Sequence, residues 1–229
     1  MMKKVSLTID GRRVTAREGG NLLWVALDNG IYVPNLCALR DRREPQAACR
    51  LCFVEVAGKE RPVPACTEEV TDGMAVNTKG EKALRLARAV FELLMASHPV
   101  DCAHCLNNGN CELQKIAHHL KVRLKTRRLR QLLRHLPVDE SNPLFRYDPN
   151  KCVLCGRCVW VCREHLGSNV LGFAYRGFRR VVTTFGGEPI GGSRCLECGE
   201  CVQVCPTGAL TFRDVSKAIR EATVSTKMR

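Results

Sequence analysis

Residues 152–162 read CVLCGRCVWVC and residues 195–206 read CLECGECVQVCP, the spacing C-x2-C-x2-C-x3-C twice over, with Pro206 closing the second run. Such a run wraps [4Fe–4S] clusters: three closely spaced cysteines hold one cube and the fourth reaches across to the other. The spacing therefore assigns Cys152, Cys155, Cys158 and Cys205 to one cluster, and Cys195, Cys198, Cys201 and Cys162 to a second. Pro206 turns the chain away after the last ligand. Arg163 occupies the matching place after Cys162, which loosens one turn and removes no ligand. Structural zinc is the alternative, but four-cysteine zinc sites come as two C-x2-C pairs across a long spacer, not as three cysteines at consecutive x2 spacing.

Working outward, the remaining cysteines of the fifteen form two more groups, and none is left over. Cys37, Cys49, Cys52 and Cys66 are spaced C-x11-C-x2-C-x13-C. One C-x2-C with a cysteine on either side is the layout of a [2Fe–2S] loop, although the first gap is longer than in plant-type ferredoxins. Four cysteines also suit zinc, an alternative weakened by the two cluster runs beside it. Cys102, Cys105 and Cys111 follow C-x2-C-x5-C, with His98 upstream across a three-residue gap. A histidine and three cysteines describe a structural zinc site as well as a cluster, and the residues alone leave both open. His104, between two of the cysteines, competes with His98 as ligand, and His98 could equally be a surface histidine placed favourably at a helix C-terminus.

Composition agrees with a protein organised around inorganic centres. Aromatic residues make up only 5% of 229 residues, so ligated clusters have to supply folding energy that a small apolar core cannot. The N-terminus lacks a signal-peptide pattern, and no apolar run is long enough to span a bilayer. The expected location is the cytoplasm, where thiols stay reduced and serve metals before disulfides. The formal net charge is +13. Between Glu112 and Asp139 there is no acid, while Lys115, Lys121, Arg123, Lys125, Arg127, Arg128, Arg130 and Arg134 are all basic. That block suits an acidic partner, nucleic acid included, or a solvated face at a subunit interface.

Periodicity places the motifs. Val5–Ile9 and Arg13–Ala16 read as strands joined by the turn pair Asp10-Gly11. Asn21 is a good N-cap for a short helix that Gly30 can close. Leu51–Ala57 reads as a buried strand paired with Arg61–Ala65, and Met74–Asn77 can add another. Thr78 and Glu81 form a capping box for a helix whose apolar face is Leu84, Val90, Phe91 and Leu94, ending before Pro99. A second helix runs from near Asn110 through Leu120. Lys121–Thr126 reads as an exposed edge strand, and Arg127–Leu136 as an amphipathic helix with leucines at i, i+3, i+4 and i+7. Val138–Asn150 is a linker. Strands fall within Val170–Phe185, Gly186–Gly192 is a turn, and the segment from Arg213 is a polar tail.

The stretch Leu94–Gln114, LMASHPVDCAHCLNNGNCELQ, resembles the cluster segment of the large iron–sulfur subunit of NADH dehydrogenase (respiratory complex I) and of relatives in soluble NAD-linked hydrogenases and formate dehydrogenases. The resemblance runs from about Val5 to Phe212 and includes VPNLC at Val33–Cys37, CRLCFVEV at Cys49–Val56, DPNKCVLCGRCVWVC at Asp148–Cys162 and CGECVQVCPTGAL at Cys198–Leu210. It implies a [2Fe–2S] site at the Cys37 group. It also implies a [4Fe–4S] site held by His98, not His104, together with Cys102, Cys105 and Cys111. The implied fold is α+β: a β-grasp [2Fe–2S] ferredoxin-like domain at 1–78, a helical [4Fe–4S] domain with one His and three Cys ligands at 79–120, a basic linker or helix at 121–150, a bacterial-type 2x[4Fe–4S] ferredoxin domain at 151–212 and the tail at 213–229. Two departures are visible. Ala48 stands before Cys49 where the family usually has glycine, and Arg127–Leu136 is unusually basic.

No cysteine remains for a nickel–iron, hydrogen-activating or molybdenum centre, and no G-x-G-x-x-G follows a strand. The chain thus reads as a wire without a substrate-converting site. The resemblance implies a flavin-bearing partner that carries FMN and NAD(P), and a separate catalytic subunit, hydrogenase first and formate dehydrogenase second, in an arrangement that electron bifurcation would also suit. Two alternatives come from other classes: a basic nucleic-acid-binding metalloprotein, opposed by few aromatics for base stacking, and a free-standing polyferredoxin shuttle.

Overall fold

The computed structural model describes residues 3–126 and 128–213; within it, residues 1–95 and 115–129 form one unit and 96–114 and 130–229 another. Met1, Met2, Arg127 and the polar tail after Arg213 lie outside the described residues.

In the first unit, β1 (Lys4–Ile9) and β2 (Arg12–Arg17) pair antiparallel around Asp10 and Gly11, both in the left-handed region at φ 51 and 78. This is the turn that Asp-Gly favours. Alternation along β1 buries Val5, Leu7 and Ile9 on one face. Helix α1 (Leu22–Asp28) starts at Asn21, whose Oδ1 accepts from the Trp24 amide at 3.4 Å. Strands β3 (Phe53–Val56), β4 (Val63–Pro64) and β5 (Ala75–Asn77) complete a sheet of order β2-β1-β5-β3-β4, with β5 parallel to β1. Leu22, Leu23 and Ala26 of α1 join Val54 and Val76 in its core, each large aliphatic contributing about 1.5–3 kcal/mol by burial.

Helix α2 (Glu81–Ala96) forms as expected, but not with the expected cap. Thr78 gives both its amide and its hydroxyl to the Asp10 carboxylate at 2.7 Å, so its side chain is spent on the hairpin turn. The free amides of Lys82 and Ala83 donate instead to Glu55 Oε1 of β3, at 2.9 and 3.2 Å. The buried stripe is Ala83, Ala87, Phe91 and Met95, one residue round from the expected face, because small alanines allow close approach there. Helix α3 (Glu112–Leu120) ends with Lys121 at φ 54, a left-handed stop.

Two expectations fail beyond that stop. Lys121–Thr126 forms no strand, and Arg128–Leu136 no helix, among the described residues. Closely spaced arginines repel one another on a helix, and other groups take up the backbone. Leu132 donates to the Ala96 carbonyl at 2.7 Å, and Leu136 exchanges two bonds with the Asn150 carboxamide at 2.8 Å each. Arg134 grips the carbonyls of Arg180 and Pro149 at 2.7 and 2.8 Å. Residues 130–136 are thus held in irregular backbone by these bonds and not in a helix.

The supposed linker also contains a strand, β6 (Phe145–Tyr147), paired antiparallel with β9 (Leu210–Phe212). Between them lie α4 (Arg157–Trp160), the hairpin β7 (Gly172–Ala174) and β8 (Val181–Thr183), and α5 (Glu200–Gln203). This part of the second unit buries Phe145, Val170, Val182 and Leu210 among its cysteines. Among the described residues no helix is long and apolar enough to cross a membrane.

Candidate metal centres

The first group lies in the first unit. Cys37, Cys49, Cys52 and Cys66 are all buried. The amide of Leu36 donates to Cys49 Sγ at 3.4 Å, and the amide of Cys49 to Cys37 Sγ at 3.5 Å. The thiols fall into two touching pairs. Contact with Cys37, then burial, pushes the Cys49 thiol well up, and contact with Cys66, then burial, does the same to Cys52. Cys37 also acts on Cys52 and Cys66, and Cys49 on Cys66, so all four thiols are gathered in one place, as a shared metal centre would need. The loop is held from outside: Asn21 caps α1 with its oxygen and donates through Nδ2 to the Cys66 carbonyl at 2.6 Å. Ala47 and Arg50 take left-handed φ of 48 and 52 around Cys49, strain that persists where the surroundings fix it.

The second group follows α2 in the second unit. Nδ1 of His98 is buried and has no hydrogen-bond partner. Burial first, then the nearby Lys151 ammonium, pushes the imidazole down to about 4, so it is neutral near pH 7 and carries a free lone pair. That is the state a metal requires of histidine. His104 is placed differently: its side chain is 84% exposed and its Nδ1 pairs with Asp101 at 2.9 Å. Cys111 is buried, with burial raising its thiol and Cys105 and Cys102 adding to the rise. Gly208 closes the wall: a Cβ there would meet Cys105 Sγ at 2.7 Å. Gly208→Ala is therefore expected to displace Cys105 and cost one four-iron centre, about four iron atoms. Iron content and EPR of the variant check this; full iron with unchanged signals would contradict it.

The two ferredoxin-type runs fold alike. Leu154 and Glu197, each two residues after the first cysteine of its run, are left-handed at φ 55 and 52. Gly156 and Gly199, each following the second cysteine, sit at φ 75 and 73 and start α4 and α5. The Leu154 amide consequently points back at Cys152 Sγ, 3.4 Å away. Each fourth cysteine lies near the other run: Cys205 acts on Cys155 and Cys158, and Cys162 on Cys195 and Cys201, with Cys205 also acting on Cys201. Burial, then Cys205 and Cys152, pushes the Cys155 thiol to about 12. Burial, then Cys198, Cys195 and Cys162, raises Cys201. Val170 donates to Cys162 Sγ at 3.3 Å. Cys198 is the one exposed cysteine of the fifteen.

The His98 group and the Cys152 group are neighbours. The amide of Glu112, next to Cys111, donates to the carbonyl of Pro206, next to Cys205, at 3.0 Å. Lys151, beside His98, directly precedes Cys152, and its carbonyl accepts from Thr207 Oγ1 at 3.0 Å. Sequence reading missed these links because they are made by backbone groups and by residues adjacent to the cysteines.

Three family models match the chain: a 2Fe-2S iron-sulfur cluster binding domain at residues 2–81, the NADH-ubiquinone oxidoreductase-G iron-sulfur binding region at 88–125 and a 4Fe-4S dicluster domain at 151–209. The NADPH-Fe(3+) oxidoreductase subunit alpha of Geobacter sulfurreducens is 38% identical over 206 residues, 90% of this chain and 24% of that protein. The NADP-reducing hydrogenase subunit HndD of Solidesulfovibrio fructosivorans is 36% identical over 225 residues, 96% of this chain and 38% of that one. The chain thus spans well under half the length of these curated relatives. A crystal structure of NAD+-reducing [NiFe]-hydrogenase in the H2-reduced state contains a chain that superposes with a TM-score of 0.82 at 28% identity, covering 92% of this chain and 88% of that one. With 2Fe-2S and 4Fe-4S domains along most of its length, the chain is an iron–sulfur protein similar to part of an NADP-reducing hydrogenase subunit, to a chain of NAD+-reducing [NiFe]-hydrogenase and to the iron-sulfur binding region of NADH-ubiquinone oxidoreductase-G.

Proposed function

We propose that this chain carries single electrons through one [2Fe–2S] and three [4Fe–4S] clusters, between a flavin-bearing NAD(P)-binding partner and a separate catalytic subunit, a hydrogenase in the first place, in the cytoplasm. The ligands are Cys37, Cys49, Cys52 and Cys66; His98, Cys102, Cys105 and Cys111; Cys152, Cys155, Cys158 and Cys205; and Cys195, Cys198, Cys201 and Cys162. Bound clusters supply reversible one-electron chemistry with little change in shape. The polypeptide's part is to bury the thiols, to aim amide N–H groups at sulfur and to exclude water, which together set each potential.

The observation that carries this reading is His98, a neutral buried imidazole with an unbonded Nδ1 next to Lys151, the residue that precedes Cys152. The Glu112 amide, next to Cys111, is hydrogen-bonded to the Pro206 carbonyl, next to Cys205, which sets two cysteine groups side by side as a relay needs. Zinc would hold such a site shut but would pass no electron.

The test uses the whole complex. A preparation lacking this chain should still reduce dyes with NAD(P)H at the flavin subunit and with hydrogen at the catalytic subunit. Hydrogen-dependent reduction of NAD(P) should disappear. If that linked reaction survived at the normal rate, the relay would run elsewhere.

A further inference from the structure

Asn142 belongs to none of the ligand groups, yet it is among the most buried polar residues of the chain, 1% exposed. Its Oδ1 accepts from the amides of Leu144 at 2.9 Å and Phe145 at 3.3 Å. Those two donors fix the orientation of the carboxamide, because an NH2 group could not accept them. The remaining end, Nδ2, must then face the other way, and it lies 3.7 Å from Cys195 Sγ.

Neighbouring contacts hold it there. Asp139 accepts through Oδ1 from the amide of Ser141 at 2.9 Å, and through Oδ2 from the amide of Ile190 at 2.7 Å. Ser141 Oγ accepts from the amide of Gly191 at 2.8 Å. The segment preceding β6 is thereby strapped onto the loop that leads into Cys195. A Cβ on Gly191 would meet the Ser141 carbonyl oxygen at 2.4 Å, so the strap lies in close contact.

We infer that Asn142 is a positioning residue that sets the reduction potential of the cluster ligated by Cys195, by donating a side-chain N–H to that thiolate. The inference rests on the reading of Cys195 as a ligand. A donor to a ligating sulfur disperses its negative charge and eases the arrival of a further electron. The other cysteines of this group lack such a carboxamide among the described hydrogen bonds; Cys162, for instance, is served by a backbone amide.

Asn142→Asp keeps the shape and one oxygen for the two amides, but turns a second oxygen on the sulfur. In the intact complex, redox-titrated EPR should show reduction of one [4Fe–4S] centre disfavoured by at least tenfold, 59 mV for a one-electron couple, with the other centres unmoved. Asn142→Ser keeps a short acceptor that cannot reach the sulfur, and should shift the same centre in the same direction by less. Cys195→Ser identifies that centre by altering its signal. If Cys195→Ser left every signal and the full iron content intact, the ligand reading would fail. If it altered one signal that neither Asn142 variant moved, the ligand reading would stand and the inference about Asn142 would fall. Wild-type protein carrying 15N in the asparagine side-chain amide reads the same contact by pulsed EPR, without substitution. A nitrogen coupling on the signal assigned to Cys195 supports it, and its absence overturns it.

Discussion

Stripping iron from the chain with a chelator under reducing conditions should unfold the second unit and leave the five-stranded sheet of the first in place. The two cores differ in kind. Leu7, Ile9, Leu22, Leu23 and Phe91, all fully buried, belong to the first unit, whereas among the described residues only Leu113 and Phe145 of the largest fully buried side chains belong to the second. Much of the second core is cysteine: Cys158, Cys162 and Cys201 are buried in it, with Cys152, Cys195 and Cys205 packed alongside. A structural metal site is worth on the order of 10 kcal/mol, and a whole domain is stable by only about 5–15 kcal/mol. Loss of the clusters therefore exceeds what the apolar residues of that unit supply. Hydrogen exchange on the chelated chain reads the outcome directly. Protection should persist at β1, β3 and β5, and vanish at β6, β8 and β9. Protection retained throughout would mean that the second unit folds by apolar packing alone.

Replacing His98 by cysteine should lower the potential of one [4Fe–4S] centre by on the order of 100 mV, since exchange of thiolate for neutral imidazole moves cluster potentials by that scale or more. The imidazole adds no charge to the cube, whereas a thiolate adds one negative charge that resists reduction. His98→Ala should lose the centre. His104→Ala should change nothing, because that side chain is exposed and occupied by Asp101. Redox-titrated EPR on the three variants separates the two histidines, and an unshifted potential in His98→Cys would remove His98 from the ligand set.

The parts of the fold legible in the sequence are those written in short-range patterns. The Asp10-Gly11 hairpin, the Asn21 cap and the matching turns of the two cysteine runs each depend on residues a few positions apart, and the structure has all three. What stayed hidden depends on distant partners. Thr78 looked like a cap until Asp10, folded back beside it, took both its donors, and Glu55 reached the helix from another strand. A strand of three residues set between Pro143 and Pro149 is too short to announce itself, and β6 exists only because Leu210–Phe212 arrives to pair with it. The leucine spacing at Leu129–Leu136 carried a real helical period, overridden by like charges and by the Asn150 and Arg134 bonds. At the candidate sites, cysteine spacing drew attention to the thiols, but Asn142 has no motif. Only its two amide donors and the sulfur beyond reveal it.

Measuring metal and acid-labile sulfide on anaerobically purified protein tests the central claim most directly. One two-iron and three four-iron clusters require about fourteen iron atoms and as many sulfides per chain, in a brown protein. A colourless preparation holding about four zinc ions and no sulfide would contradict the whole account.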